Sequence, residues 1–340
     1  MTRQQKFLLA LATGAAAGLV AARQSLRNRH AISFEGRVVV LTGGSRGLGL
    51  VMARQLAAEG ARLCLLARDQ QELARARAQL PEHAEVMTLR CDIRRRADVR
   101  LAMDHLLERW GAVDVLINNA GVIQVGPLEH MTTADFENAM ATHFWGPLHL
   151  MFECVPSMRH RGFGRIVNIT SIGGRIAVPH LAPYCASKFA LVGLSDSVRA
   201  ELDQYGIRVT TVSPGLMRTG SPLNADFKGQ HELEYTWFAI SDSMPGLTIS
   251  AERAARKIID ACRYGDPELT ITLPAKIIAK LNDMMPGTVA HAMWMANSML
   301  PGPNGSDGDR LRRGRFSETK WTDSFATVLT HRAAVANNEL

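Results

Sequence analysis

Aromatic residues make up only 6% of the chain, and its five cysteines (Cys64, Cys91, Cys154, Cys185 and Cys262) stand singly. So few rings leave little material for stacking on bases. The basic residues are dispersed, Arg94 to Arg96 at one place and Arg310 to Arg315 at another, with no basic face carrying interleaved aromatics. A nucleic-acid partner is therefore not expected. An odd cysteine count without a CxxC pair offers neither a disulfide framework nor a zinc site. No metal is expected, and a reducing compartment such as the cytoplasm fits. The one apolar stretch near the start, Phe7 to Ala22, runs for 16 uncharged residues, short of the roughly 20 that a spanning helix needs.

What is present describes a chain that buries a core. Hydrophobic residues are 46% and charged residues 21% of 340, which excludes wholesale disorder and collagen. Length allows two domains, or one large α/β domain with additions. Lys and Arg exceed Asp and Glu by 39 to 32, a net charge of +7, which suits anionic lipid or phosphate-bearing ligands. The pattern divides into an N-terminal hydrophobic segment (1–33), an alternating body (34–273) and a C-terminal extension (274–340).

Three readings of the first segment stand open: a membrane anchor, a cleaved secretory signal, or a helix that is soluble or lies on a surface. If it spans, the heavier basic flank after it (Arg23, Arg27, Arg29) keeps the body in the cytoplasm. In the extension, residues 273–300 are Met-rich and helix-like, read either as packing on the body or as facing lipid or covering substrate. Residues 301–309 read as a linker, and the basic run after them as a solvated face.

The body alternates short apolar runs with helical spacing. Strands are expected at 37–42, 62–67, 85–90, 113–118, 165–170, 207–212 and 269–273, with amphipathic segments between them. Near-continuous apolar strands separated by 10–25-residue helices imply a parallel sheet covered on both faces, an α/β doubly wound arrangement of the Rossmann type.

Between the first strand and first helix lies Thr42-Gly43-Gly44-Ser45-Arg46-Gly47-Leu48-Gly49. Glycines at such a turn let main-chain N–H groups and the helix N-terminus approach a pyrophosphate. At the end of the second strand stand Arg68 and Asp69. An acid there suits the ribose hydroxyl of NAD, and a guanidinium the 2′-phosphate of NADP. Arg68 together with Arg46 favours NADP(H) over NAD(H).

At this point the sequence resembles the short-chain dehydrogenase/reductase family over roughly residues 34–272. Thr42, Gly43, Gly47 and Gly49 match TGxxxGxG. Asp92 resembles the acid that contacts the adenine. Asn118-Asn119-Ala120-Gly121 matches NNAG, with Asn119 in the cofactor set. Ser171 precedes Tyr184 by 13 residues, and Tyr184 to Lys188 matches YxxxK. Pro214, Gly215 and Thr219 resemble the loop that closes on the nicotinamide. One position departs: where the family usually carries a catalytic Asn that holds a water linking the Lys to solvent, this chain has His143. An imidazole also donates and accepts, so a relay through His143 is the expectation; the alternative is a catalytically weakened, nucleotide-binding regulatory protein of the same fold.

The resemblance implies hydride transfer between nicotinamide and a ketone or secondary alcohol. Tyr184 would be the acid–base, Ser171 would hold the carbonyl oxygen, and the ammonium of Lys188, which would also hold the ribose, would lower the phenol's pKa. Phe227, Tyr235, Trp237 and Phe238 lie in the stretch that forms a lid in this family; His180, beside Pro179 in the loop before Tyr184, is read either as a plain loop residue or as a substrate contact. Such a lid suits a lipophilic substrate. Family members are commonly homo-oligomers.

Overall fold

The computed structural model describes residues 5, 24–25, 27–244, 247–319, 322 and 327–340. The expectation for the apolar N-terminal segment therefore concerns residues outside those described. No described helix is long and apolar enough to cross a membrane.

The elements, in chain order, are β1 (Val38–Thr42), α1 (Gly47–Ala58), β2 (Arg62–Ala67), α2 (Gln70–Ala78), β3 (Val86–Arg90), α3 (Arg96–Trp110), β4 (Val115–Asn118), β5 (Gln124–Val125), α4 (Thr133–Met140), α5 (Gly146–Arg161), β6 (Gly164–Ile169), α6 (Ala182–Leu202), β7 (Ile207–Pro214), β8 (Met217–Arg218), β9 (Asp226–Phe227), α7 (His231–Ser241), β10 (Ile249–Ser250), α8 (Ala251–Tyr264), β11 (Glu268–Ile271), α9 (Leu273–Met284), α10 (Pro286–Asn297), β12 (Arg312–Arg313) and α11 (Val328–Ala336). Seven strands form one sheet in the order β11-β7-β6-β4-β1-β2-β3, and every pair is parallel.

Strand periodicity sorts the core into two layers. Val39 and Leu41 of β1 face one way with Leu63, Leu65, Val115 and Ile117, packing on Val51, Met52 and Leu56 of α1 and Ile258 and Ile259 of α8. Val38 and Val40 face the other way with Cys64, Leu66 and Leu116, against Val99, Met103 and Leu106 of α3 and Leu150, Cys154 and Met158 of α5. All five cysteines are buried as free thiols. With both faces covered, the strands need no polar alternation, which is why they read as continuous apolar runs.

Strand order reverses at β1, which lies between β2 and β4. The crevice outside the carboxyl ends of β1 and β4 is thus the topological switch point, where open α/β sheets bind ligands.

The extension departs from expectation in two places. The helix-like stretch 273–300 is two helices, divided before Pro286, because a residue preceding proline is driven out of the helical region. Leu273, Ile277, Leu281 and Met284 of α9, and Trp294 and Met295 of α10, are exposed. The basic run after residue 309 keeps its arginines at the surface, as expected of a solvated face, while its backbone adds a strand: Arg312 and Arg313 pair antiparallel with Phe227 and Asp226. Main-chain pairing leaves both arginine side chains exposed, so charge did not prevent the strand.

Candidate active site

The turn between β1 and α1 is held from below by the segment after β4. The Thr42 hydroxyl oxygen accepts from the backbone N–H groups of Asn119 and Ala120, both at 2.9 Å. Asn119 Nδ2 donates back to the carbonyls of Thr42 (3.0 Å) and Gly43 (3.3 Å). Thr42 and Asn119, singled out as cofactor residues, therefore brace the glycine turn. Gly43 has φ of +64°, and a Cβ there would meet Ala120 Cα at 2.9 Å, so only glycine fits. Leu48 is core rather than surface.

At the mouth of this turn, Ser45 Oγ donates to Glu72 (3.0 Å) and Arg46 pairs with the same carboxylate (3.2 Å). The first turn of α1 has no side-chain cap; instead the N–H of Gly47 donates to the carbonyl of Asn337 at 2.8 Å. The Glu339 carboxylate stands too close to residue 47 to leave room for a Cβ there, and lies 3.4 Å from Arg46. Burial pushes that carboxyl up to about 6, against the opposing pull of Arg46 and a hydrogen bond from Asn224. A carbonyl on the Gly47 N–H and a carboxyl beside Arg46 place two oxygens at this helix start, where a dinucleotide pyrophosphate would also put its oxygens. Gly43, Gly47, Gly49, Ser45 and Arg46 are the residues that would hold it.

Asp69 is a helix cap. Its Oδ1 accepts from the N–H groups of Gln71 (2.8 Å) and Glu72 (3.0 Å), capping α2. Arg68 beside it is exposed and makes no hydrogen bond or ion pair with a described residue. Asp92, expected at the adenine, lies against Arg94, whose Nη2 donates to it at 2.6 Å; that pairing holds its carboxyl below the usual range.

Ser171 leaves the end of β6, and α6 carries Tyr184 and Lys188 one turn apart. The Ser171 hydroxyl favours the ionised form of the Tyr184 phenol, but burial prevails and pushes the phenol up to about 12. Tyr184 as a residue is half-buried; the protein mass around the hydroxyl causes the rise. Lys188 is 4% exposed. Its Nζ donates to the carbonyl of Ile169 at 2.9 Å and lies 5.6 Å from the centroid of the Tyr184 ring. Burial brings its ammonium down to about 7. The expected lowering of the phenol by the lysine is thus not what these groups produce among themselves: one dry environment disfavours charge on both.

His143 lies in a π-helical turn between α4 and α5, with both ring nitrogens engaged. Nε2 accepts from the N–H of Val122 (3.1 Å), and Nδ1 faces Ser187 Oγ at 2.7 Å. Nδ1 must then carry the proton. Burial, with help from Lys188, holds the imidazole well below its ordinary value, so it is neutral. Its ring meets that of Tyr184 edge-on, centroids 5.5 Å apart. The ring nitrogens expected to serve a relay to Lys188 thus face Val122 and Ser187.

On the far wall, Pro214 ends β7, the N–H of Gly215 donates to Ile271 O (3.1 Å), and the buried Thr219 Oγ1 accepts from the N–H of Ser221 (3.2 Å). Of the lid aromatics, Phe227 and Tyr235 are core, packed with Val125, Leu181 and Leu223; Trp237 and Phe238 are partly buried against them. His180 has φ of +62°, and its Nδ1 lies 2.8 Å from buried Glu234, which also accepts from Trp237 Nε1 (2.7 Å). Asp242, at the end of α7, is buried and pushed up to about 7, and its charge bears on Tyr184. Neither Ser187, Glu234, Asp242 nor Glu339 carries a sequence signal; each is placed by packing between distant segments.

The family model described as short chain dehydrogenase matches residues 37–227. Dehydrogenase/reductase SDR family member 7B of Danio rerio is 37% identical over 222 residues, 63% of this chain and 72% of that protein. Levodione reductase of Leifsonia aquatica is 35% identical over 190 residues, 55% of this chain and 71% of the enzyme. A solved metagenomic short-chain oxidoreductase in complex with NADP is 29% identical with a TM-score of 0.58, covering 71% of this chain and 99% of that one.

Proposed function

The chain belongs to the short chain dehydrogenase family, hydride-transfer oxidoreductases acting on CH–OH and C=O groups, and from that premise we propose that it is an NADP(H)-dependent reductase of a lipophilic ketone. The observation that carries the reading is buried Lys188 one helical turn beyond Tyr184 on α6, with Ser171 near enough to the phenol to act on its ionisation.

Bound dinucleotide supplies the hydride. The residues of the chain do the rest. Ser171 directs a hydrogen bond at the carbonyl oxygen and orients it. Tyr184 delivers its proton to that oxygen. A phenol pushed up to about 12 by burial keeps its proton at neutral pH, which suits the reducing direction. Lys188, brought down to about 7, is part-charged near neutrality and supports the tyrosinate as it forms.

The cofactor preference rests on Arg68, exposed at the end of β2, while Asp69 is engaged as a helix cap; the NADP complex of a structural relative supports it. The substrate class is supported by the carbonyl compound in the name of levodione reductase and by half-buried Trp237 and Phe238 on α7. The exposed apolar residues of α9 add to it, since Asn282 on that helix donates to Arg175 O (3.0 Å), four residues from Ser171. Its site of action is the cytoplasm, with the first segment as an anchor.

A screen of cyclic and long-chain ketones followed by NADPH absorbance tests the reading. Oxidation of NADPH with an apolar ketone is expected, and no turnover with any carbonyl would refute it. A second reading, a nucleotide-binding protein weakened in catalysis, is favoured by the engaged nitrogens of His143; NADPH binding without turnover across the screen would select it.

A further inference from the structure

The chain segment from α11 onward joins the two walls of the site. Ala334 is fully buried with Leu223, Phe227 and Tyr235, so close to Gly220 that a Cβ there would lie 2.6 Å from Ala334 Cα. Thr330 Oγ1 and Ser243 Oγ share a hydrogen bond at 2.6 Å. These contacts fasten α11 to the lid wall.

The residues after α11 then cross to the glycine turn. Asn337 O takes the N–H of Gly47, one of the free donors of the first helical turn. Asn338, at φ of +58°, turns its amide onto the loop: Nδ2 donates to Ser45 O (2.8 Å) and Glu72 O (3.3 Å), and Oδ1 accepts from Arg75 Nε (2.9 Å). Glu339 faces Arg46 and accepts from Asn224 Nδ2 at 2.7 Å. Asn337 is 0% exposed and Glu339 6%.

We propose that residues 337–339 are an intramolecular ligand of the dinucleotide phosphate cradle, the Glu339 carboxylate and the Asn337 carbonyl in place of phosphate oxygens and the Asn338 amide as a latch on the loop, so that the segment and the cofactor exclude one another. The inference rests on the cofactor reading above. The physical reason for exclusion is that Glu339 and the Asn337 carbonyl use the same donors, the Gly47 N–H and the Arg46 guanidinium, that a pyrophosphate at this helix start needs. The segment also lies between the glycine turn and the lid wall that carries Thr219 and Gly220. Apparent cofactor affinity is then reduced by the fraction of molecules in which the segment is docked.

The test compares the full chain with the Asn338→Ala/Glu339→Ala double variant, which keeps α11 and Ala334 in place. NADPH and NADH binding are measured by calorimetry, and hydrogen exchange is followed in peptides covering 328–340 and 45–50 of the full chain with and without saturating NADPH. Expected are a dissociation constant for NADPH lower by about tenfold or more in the variant, consistent with loss of several hydrogen bonds, and faster exchange in 328–340 when NADPH is added. An unchanged or weaker constant, or undiminished protection of 328–340 with NADPH bound, would overturn the inference while leaving dinucleotide binding in place. Absence of binding in both proteins would overturn the inference together with the cofactor reading.

Discussion

His143 Nδ1 lies 2.7 Å from the Oγ of Ser187, and Ser187 in turn donates to the Tyr184 carbonyl at 2.8 Å. With the Val122 N–H entering at Nε2, a directed chain of hydrogen bonds runs from the loop after β4 into the helix that carries Tyr184 and Lys188. Where the family pattern has Asn, this imidazole is a brace between two walls of the site. Ser187→Ala leaves a buried N–H unpaired, and such groups cost about 1–3 kcal/mol. Denaturant unfolding should show a loss of that size, with the NADPH dissociation constant within about twofold of the parent. Unchanged stability would mean the brace carries nothing.

Tyr184→Phe removes the proton donor and keeps the ring against His143. Turnover should fall by about 10²–10⁴, the usual contribution of a positioned acid, while calorimetry shows NADPH binding retained. Turnover within a few-fold of the parent would refute the acid–base assignment.

Stability should depend on pH through Lys188. Its ordinary value of 10.5 falls to about 7 on burial, so between those values the unfolded chain binds the proton that the folded chain does not. Stability then rises with pH from about 7 to about 9, at up to about 1.4 kcal/mol per pH unit, before the four thiols that burial pushes up to about 12 begin to oppose it. Tyr184 does not oppose this: its value is raised above 10, so its contribution is present below 10 and is lost only as pH rises toward 12. Lys188→Met should flatten the rise. A parent curve already flat from pH 7 to 9 would show that the lysine is hydrated.

Arg68→Ala should raise the KM for NADPH by about tenfold or more, the range of a charge-assisted hydrogen bond, and leave that for NADH nearly unchanged. Initial-rate kinetics with both cofactors decide it. Equal effects would show that Arg68 does not read the 2′-phosphate.

The strand runs, the glycine turn and the Ser171, Tyr184 and Lys188 constellation were legible in the sequence because local pattern dictates them: period-two and period-3.6 burial, the φ of +64° at Gly43, and an i, i+4 spacing on one helix. The roles of several polar residues were not. Thr42 and Asn119 proved to hold each other, Asp69 to cap a helix, and Asp92 to pair with Arg94, because a polar side chain takes whichever partner folding brings within 3 Å. The direction of the Tyr184 and Lys188 shifts depends on how much protein surrounds them, a quantity no spacing encodes. Nor could spacing place Glu339 at Gly47, 292 positions away in the chain. That contact exists because α11 buries Ala334 under the lid and thereby delivers the residues beyond it to the start of α1.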